Sequence, residues 1–336
     1  MPSSEPEDRR AFLESLSTAG GPLTIDAPHA SVNDRRYFRR INGELVPTRE
    51  RLRLHERILN EWRGSRKEVG RGRSAILMAG PPGAGKSTAQ HQLVGDALTR
   101  WRHLDADEFK RRLLSAAVEG GSLQELLPDD LRNPTGERSR FYPNELCALV
   151  HVESNVILER AVAQSLVVGE NVIIDGTMAW KPWVSGLVTQ LDDEGYSIHV
   201  VDVEASREIA AAGSCIDGSK ARWRHSPHRL LTRRRRWVAG LPVSAVDRLF
   251  AEERLPDGKP LQGRSVSEVN ALEVSEESSA VTRYDLYRTL AVDRGPEHVE
   301  RRERIDGGKL KRTWSARHTR RGELAGQVVE RESDRA

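Results

Sequence analysis

The nine residues GPPGAGKST, positions 80 to 88, follow the apolar run SAILMA and lead into a stretch with helical pattern. Gly80, Gly85, Lys86 and Ser87 satisfy G-x-x-x-x-G-K-[ST] in the strand, turn and helix context that gives this pattern its meaning. Glycine lets the backbone curl until several N–H groups converge on one point, and the N-terminus of the following helix adds positive potential there. The whole loop, Gly80, Pro81, Pro82, Gly83, Ala84, Gly85, Lys86, Ser87 and Thr88, is therefore expected to cradle the phosphates of ATP or GTP. Lys86 would bridge the terminal phosphates and Ser87 would place its hydroxyl on Mg²⁺, a cation that takes oxygen ligands. The competing reading, a glycine turn with an incidental lysine, does not account for the flanks.

The pattern around the loop fixes the fold class. TRERLRLHERILNEW reads as a helix with Thr48 as its N-cap, and residues 76–79 as a buried strand. STAQHQLVGDAL is helical, RWRHLDAD is a short strand, and EFKRRLLSAAVEG is helical again. A polar stretch over 120–145 precedes one long helix, NELCALVHVESNVILERAVAQSLVVG. NVIIDGT is a buried strand, WVSGLVTQLDDEG a helix and YSIHVVDVE a strand. Such alternation predicts an α/β three-layer sandwich of the P-loop NTPase type, a mostly parallel sheet with helices on both faces. VTRYDLYRTL is expected to close the sheet. Residues 1–30 read as a flexible arm or a loosely docked segment, 31–306 as the folded domain, and 307–336 as a basic, flexible tail.

Composition limits the partners. The 336 residues carry 53 basic and 50 acidic side chains, a net +3 spread along the chain, which argues against a nucleic-acid binder. Two cysteines, Cys147 and Cys215, have no metal-ligand spacing and point to a reducing cytoplasm. No run approaches the ~18 apolar residues of a membrane span.

In a parallel sheet, ligands gather at the carboxyl ends of the strands, so acids at those ends are the candidates for chemistry. Asp105, Asp107 and Asp175 qualify. Phosphoryl transfer to a hydroxyl needs a carboxylate that orients the hydroxyl and takes its proton, and Asp107 is the candidate base. Its alternative is a helix N-cap for EFKRRLL, the role preferred for Asp105. Asp175 ends an apolar strand, as an acid that holds a magnesium-bound water does, or it orients the acceptor. Glu159 by itself reads as a solvated helix residue.

Taken together, GPPGAGKST, DADEFK, SNVILE and IIDGT resemble the zeta toxins, P-loop kinases of toxin–antitoxin modules, over residues 48 to 290. The resemblance implies that Asp107, the second acid of DADEFK, is the catalytic base. It lifts Glu159, five residues after Ser154, to a sugar contact, and gives Asp175 and Thr177 of IIDGT substrate-binding places. Many relatives have glutamate where Asp175 stands. The family also clamps the transferred phosphate with two arginines from a helical lid. Arg222 and Arg236 fit best, with Arg224 and Arg235 as alternatives, because a guanidinium binds phosphate through two parallel bonds.

The resemblance further implies an ATP- and Mg²⁺-dependent kinase acting on the 3′-hydroxyl of the amino-sugar of UDP-N-acetylglucosamine, or on a related sugar nucleotide, with an antitoxin protein as partner. Two other functions share part of the pattern. A nucleic-acid end kinase would use the arginine-rich segment near 222–236 as its binding surface. A non-catalytic nucleotide-dependent module would leave Asp107 as a cap.

Overall fold

The computed structural model describes residues 5–132, 141–220, 246–250, 264–318 and 324–328. Along the chain these form α1 (Glu5–Leu16), β1 (Phe38–Ile41), β2 (Glu44–Pro47), α2 (Arg49–Gly64), β3 (Ser74–Ala79), α3 (Lys86–Val94), β4 (Arg102–Asp105) and α4 (Ala106–Glu119). There follow α5 (Asp129–Arg132), α6 (His151–Val167), β5 (Val172–Asp175), α7 (Lys181–Asp193), β6 (Ser197–Ala205) and α8 (Arg207–Lys220). The last elements are α9 (Val266–Glu277), β7 (Val281–Thr289), β8 (Glu297–Arg304), β9 (Leu310–His318) and β10 (Leu324–Val328). The helical lid expected around Arg222 and Arg236 lies outside the described residues. Among the described residues, no helix is long and apolar enough to cross a membrane.

Two compact units divide the chain: Met1–Lys67, Asp105–Ala163 and Gly218–Pro242 form the first, and Glu68–Leu104, Gln164–Asp217 and Val243–Ala336 the second. In the first unit, Thr48 caps α2 by accepting the Arg51 N–H, and the helix buries His55, Ile58, Leu59 and Trp62 at helical spacing. Trp62 meets Phe109 of α4 with ring centroids 5.5 Å apart. Glu153 of α6 is fully buried and accepts from Arg51 Nε at 2.5 Å and lies 2.7 Å from His55 Nε2. Burial alone would push this carboxyl up, but the bonds from His55 and Arg51 hold it down at about 2. The long helix expected from Asn144 onward is divided, because Pro143–Val150 winds as a 3₁₀ turn before α6 begins. There Glu145 turns back to accept the Tyr142 N–H at 2.8 Å.

Of the two readings for residues 1–30, a flexible arm or a loosely docked segment, the described part takes the docked one in places. Leu13, Leu23, Ala27 and Ala30 are buried. Arg9 donates to Glu145 at 3.0 Å, and its guanidinium lies 5.6 Å and 5.2 Å from the ring centroids of Phe12 and Phe141. Sparse anchors of this kind leave no period for a sequence reading to detect.

The second unit is built on an eight-stranded sheet of order β10-β9-β8-β7-β6-β3-β5-β4. β3 runs parallel to β5 and β6, and β6 parallel to β7. One face packs Ile76, Met78, Ile173, Val201, Val203 and Tyr287 against Ala89 of α3 and Ala210 of α8. The alternate residues of β6 and β7 lie under α9, where Arg288 donates to Glu268 at 2.7 Å. This is the helix-covered parallel sheet that the alternation predicts.

Its far side corrects the expectation. β7 does not close the sheet, and residues 310–318 and 324–328 of the supposed tail are strands, joined with β8 in an antiparallel extension. Charge pairing and ring stacking stabilise it in place of a hydrophobic period. Asp285 is fully buried and accepts from Arg283 at 2.8 Å and Arg301 at 2.9 Å, with His199 at 2.9 Å and His298 at 2.8 Å. Burial would raise this carboxyl, yet the two histidines and Arg301 keep it well below the usual carboxylate range. Glu300 takes Arg302 and Arg312 at 2.6 Å and 2.9 Å, and His298 stacks flat on Trp314 with centroids 4.3 Å apart. His199, Asp285 and Trp314 lie outside the run EHVERRER, which therefore looks merely solvated when read alone.

Candidate nucleotide-binding site

The loop between β3 and α3 has the backbone that its glycines promise. Gly80 and Gly83 take φ of 115° and 77°, a region that side chains resist. A Cβ at Gly80 would stand 2.0 Å from the Val203 carbonyl oxygen, and one at Gly83 would stand 2.2 Å from that of Ala210. No other residue fits at either place. Thr289 Oγ1 of β7 donates to the Ala84 carbonyl at 2.6 Å and ties the loop to the sheet. Lys86 Nζ reaches back over the turn to the carbonyls of Gly80 at 3.0 Å and Pro81 at 3.2 Å. Ser87 and Thr88 are exposed on the first turn of α3, at the helix N-terminus, where backbone N–H groups and the helix dipole favour an anion.

Asp175 ends the neighbouring strand in register with Met78, two residues before Gly80. Among the described residues its Oδ1 is buried without a hydrogen-bond partner. Thr177 follows and accepts the Gly80 N–H through its backbone oxygen at 3.4 Å, while its Oγ1 accepts the Ala179 N–H at 3.3 Å. An orphaned carboxylate oxygen together with the Ser87 hydroxyl is a donor set suited to Mg²⁺, which keeps several waters and takes few protein oxygens.

In the first unit, the competing role for Asp107 is filled by another residue. Asp105 is the N-cap of α4 and accepts the Asp107 N–H at 2.8 Å. The Asp107 side chain is 64% exposed and accepts from Lys110 Nζ at 2.7 Å. Lys110 was within DADEFK, three residues on, but the motif reading assigned it nothing. Glu159 stands exposed on α6. Ser154 is buried and its hydroxyl donates to the His151 carbonyl at 2.7 Å, a bond internal to the helix. Arg222, Arg224, Arg235 and Arg236 lie outside the described residues.

Residues 76–214 match the AAA domain family, AAA_33. This AAA segment begins in β3, carries the whole phosphate loop and includes Asp107, Glu159, Asp175 and Thr177. It is a nucleotide-binding P-loop domain. Among solved structures, the chain is similar to the AvrRxo1-ORF1:-ORF2 complex, with 15% identity, 79% of this chain and 70% of that chain covered, and a TM-score of 0.48. The same complex with ATP gives 15% identity, 79% and 70% coverage and a TM-score of 0.47. A structure from the PezAT chromosomal toxin–antitoxin system of the human pathogen Streptococcus pneumoniae gives 16% identity, 73% and 78% coverage and a TM-score of 0.47. No curated protein matches the chain.

Sequence reading passed over a group of buried acids on the sheet face opposite α3. Asp202, Glu204 and Glu268 are all buried, and Asp202 Oδ2 accepts the Tyr284 hydroxyl at 2.9 Å. Burial first, and then the charge of Glu268, push Asp202 up to about 7. Burial and the neighbouring Asp202 raise Glu204 well above its ordinary value. A folded-state pKa above the unfolded one favours the protonated fold, so the contribution of Asp202 is complete at low pH. It declines as pH rises from about 4 to about 7. Denaturant unfolding of the full chain at pH 5, 6, 7 and 8 is expected to show falling stability across this range. Asp202→Asn is expected to flatten the slope, and an unchanged slope would place both protons elsewhere.

Proposed function

We propose that this chain is an ATP-dependent phosphotransferase of the zeta-toxin kind, acting on the 3′-hydroxyl of the amino-sugar of UDP-N-acetylglucosamine. The observation that carries the reading is the division of labour at the start of α4: Asp105 caps the helix, and the exposed Asp107 carboxylate, paired with Lys110, is the one assigned the proton transfer. The loop amides and Lys86 hold the β- and γ-phosphates of ATP. Asp107 accepts the proton of the acceptor hydroxyl as its oxygen bonds to the γ-phosphorus, and the bond from that phosphorus to the bridging oxygen breaks to release ADP. Glu159 and Thr177 orient the sugar, and Arg222 and Arg236 offset charge on the phosphoryl group in flight. Ser87 and Asp175 would hold Mg²⁺, which would supply charge neutralisation for the phosphates. The same reading assigns the chain a cytoplasmic setting, where ATP is at hand, and an antitoxin protein as partner, both supported by the motif resemblance.

Labelled ATP with UDP-N-acetylglucosamine tests the reading directly: transfer of label to the sugar nucleotide supports it, and label released only to water, or transferred only to nucleic-acid ends, ends it. Glu159→Gln sharpens the test. A carboxylate that accepts sugar hydroxyls gives stronger bonds than an amide, so the variant is expected to raise the acceptor KM about tenfold or more at saturating ATP. A residue that is only solvated would change stability and turnover by no more than about 0.5 kcal/mol.

A further inference from the structure

The faces of α6 are divided among different tasks. Val152 packs with Phe38 and Val32, Glu153 is bonded to Arg51 and His55, and Ser154, Ile157, Leu158 and Ala161 are buried. Among the residues of α6 that stay partly or wholly exposed is a stripe at i, i+4 and i+8: His151 and Asn155, both half-buried, and then exposed Glu159. The stripe starts beside the candidate base, because Asp107 and Lys110 both act electrostatically on the His151 ring. Asn155 Nδ2 lies 3.5 Å from His151 Nε2, a long contact that a ligand hydroxyl can replace.

The chemistry of the stripe is selective. Burial, and next the nearby Lys110 ammonium, bring the His151 ring down to about 4, so it is neutral at physiological pH. A neutral imidazole, a carboxamide and a carboxylate in succession provide hydrogen-bond donors and acceptors and add no cation to the nearby Lys110, which suits hydroxyl and acetamido groups. Successive members are about 6 Å apart along the axis, so two neighbours bracket one sugar ring. We infer that His151 and Asn155 are acceptor-positioning residues, which extend the hydroxyl-binding surface from Asp107 along α6 to Glu159. The inference rests on the sugar-kinase reading above and deepens it.

The test is steady-state kinetics of the full chain with varied UDP-N-acetylglucosamine at saturating ATP, and then the reverse, for wild type, Asn155→Ala, Asn155→Ser and His151→Gln. Asn155→Ala and His151→Gln are each expected to raise the acceptor KM about tenfold, with the ATP KM and melting temperature unchanged. Serine, which retains a hydrogen-bonding group, is expected to fall between wild type and alanine. Acceptor KM values equal to wild type would overturn the inference and leave the sugar-kinase reading standing. So would parallel losses in both KM values and in melting temperature, the mark of a packing role. A wild-type chain that neither binds nor phosphorylates UDP-N-acetylglucosamine would overturn the reading, and the inference with it.

Discussion

Lys86→Ala is expected to lower phosphoryl transfer by about 10²- to 10³-fold or more, since no second ammonium stands on the loop to neutralise the terminal phosphates. The fold should tolerate the change. Lys86 contributes two bonds to carbonyls of its own loop, and the glycine backbone that shapes the turn does not depend on it. Part of the nucleotide affinity should persist through the backbone amides. Calorimetric titration with ATP, together with turnover under saturating ATP, separates the two effects. Turnover like that of wild type would end the assignment of the loop to catalysis.

Asp107→Asn is expected to lower transfer by about 10²-fold or more while leaving melting temperature and ATP affinity close to wild type. The amide keeps the shape of the carboxylate but cannot take a proton. Asp105→Ala gives the contrasting result, a loss of about 1 kcal/mol of stability from the missing helix cap. The pair is informative because the two acids are separated by one residue. If Asp107→Asn destabilised the chain and kept its specific activity, the base would have to be sought elsewhere.

What the sequence disclosed follows from how local the determining physics is. The phosphate loop was legible because Gly80 and Gly85, both at positive φ, answer to a steric rule that depends on one residue's own backbone and its nearest neighbours. The parallel core was legible because SAILMA and the Val172–Ile174 part of NVIIDGT are buried and read as apolar runs, with YSIHVVDVE supplying a third strand rich in β-branched residues. Asp105 and Asp107 could be ranked but not separated, since both stand where a cap is useful and only the accepted N–H decides. The antiparallel extension escaped notice because its stabilising contacts join His199, Asp285, His298 and Arg301, residues that no window spans. Asp202 and Glu204 were hidden for the opposite reason. Their strand was recognised, yet nothing local shows that α9, some sixty residues on, seals them from water.

The bond from Thr289 to the Ala84 carbonyl sets a limit on how this molecule can be cut. The AAA match ends at residue 214, well before β7 supplies that hydroxyl. A fragment trimmed to the match would leave β6 with a bare edge of eight formerly paired positions, Ile198 to Ala205, and would free the phosphate loop from its only tie to β7 among the described bonds. Bare parallel edges invite association with other chains. The stretch that matches the family model is therefore smaller than the sheet that holds the phosphate loop, and a fragment that keeps the loop's tie has to reach past Thr289.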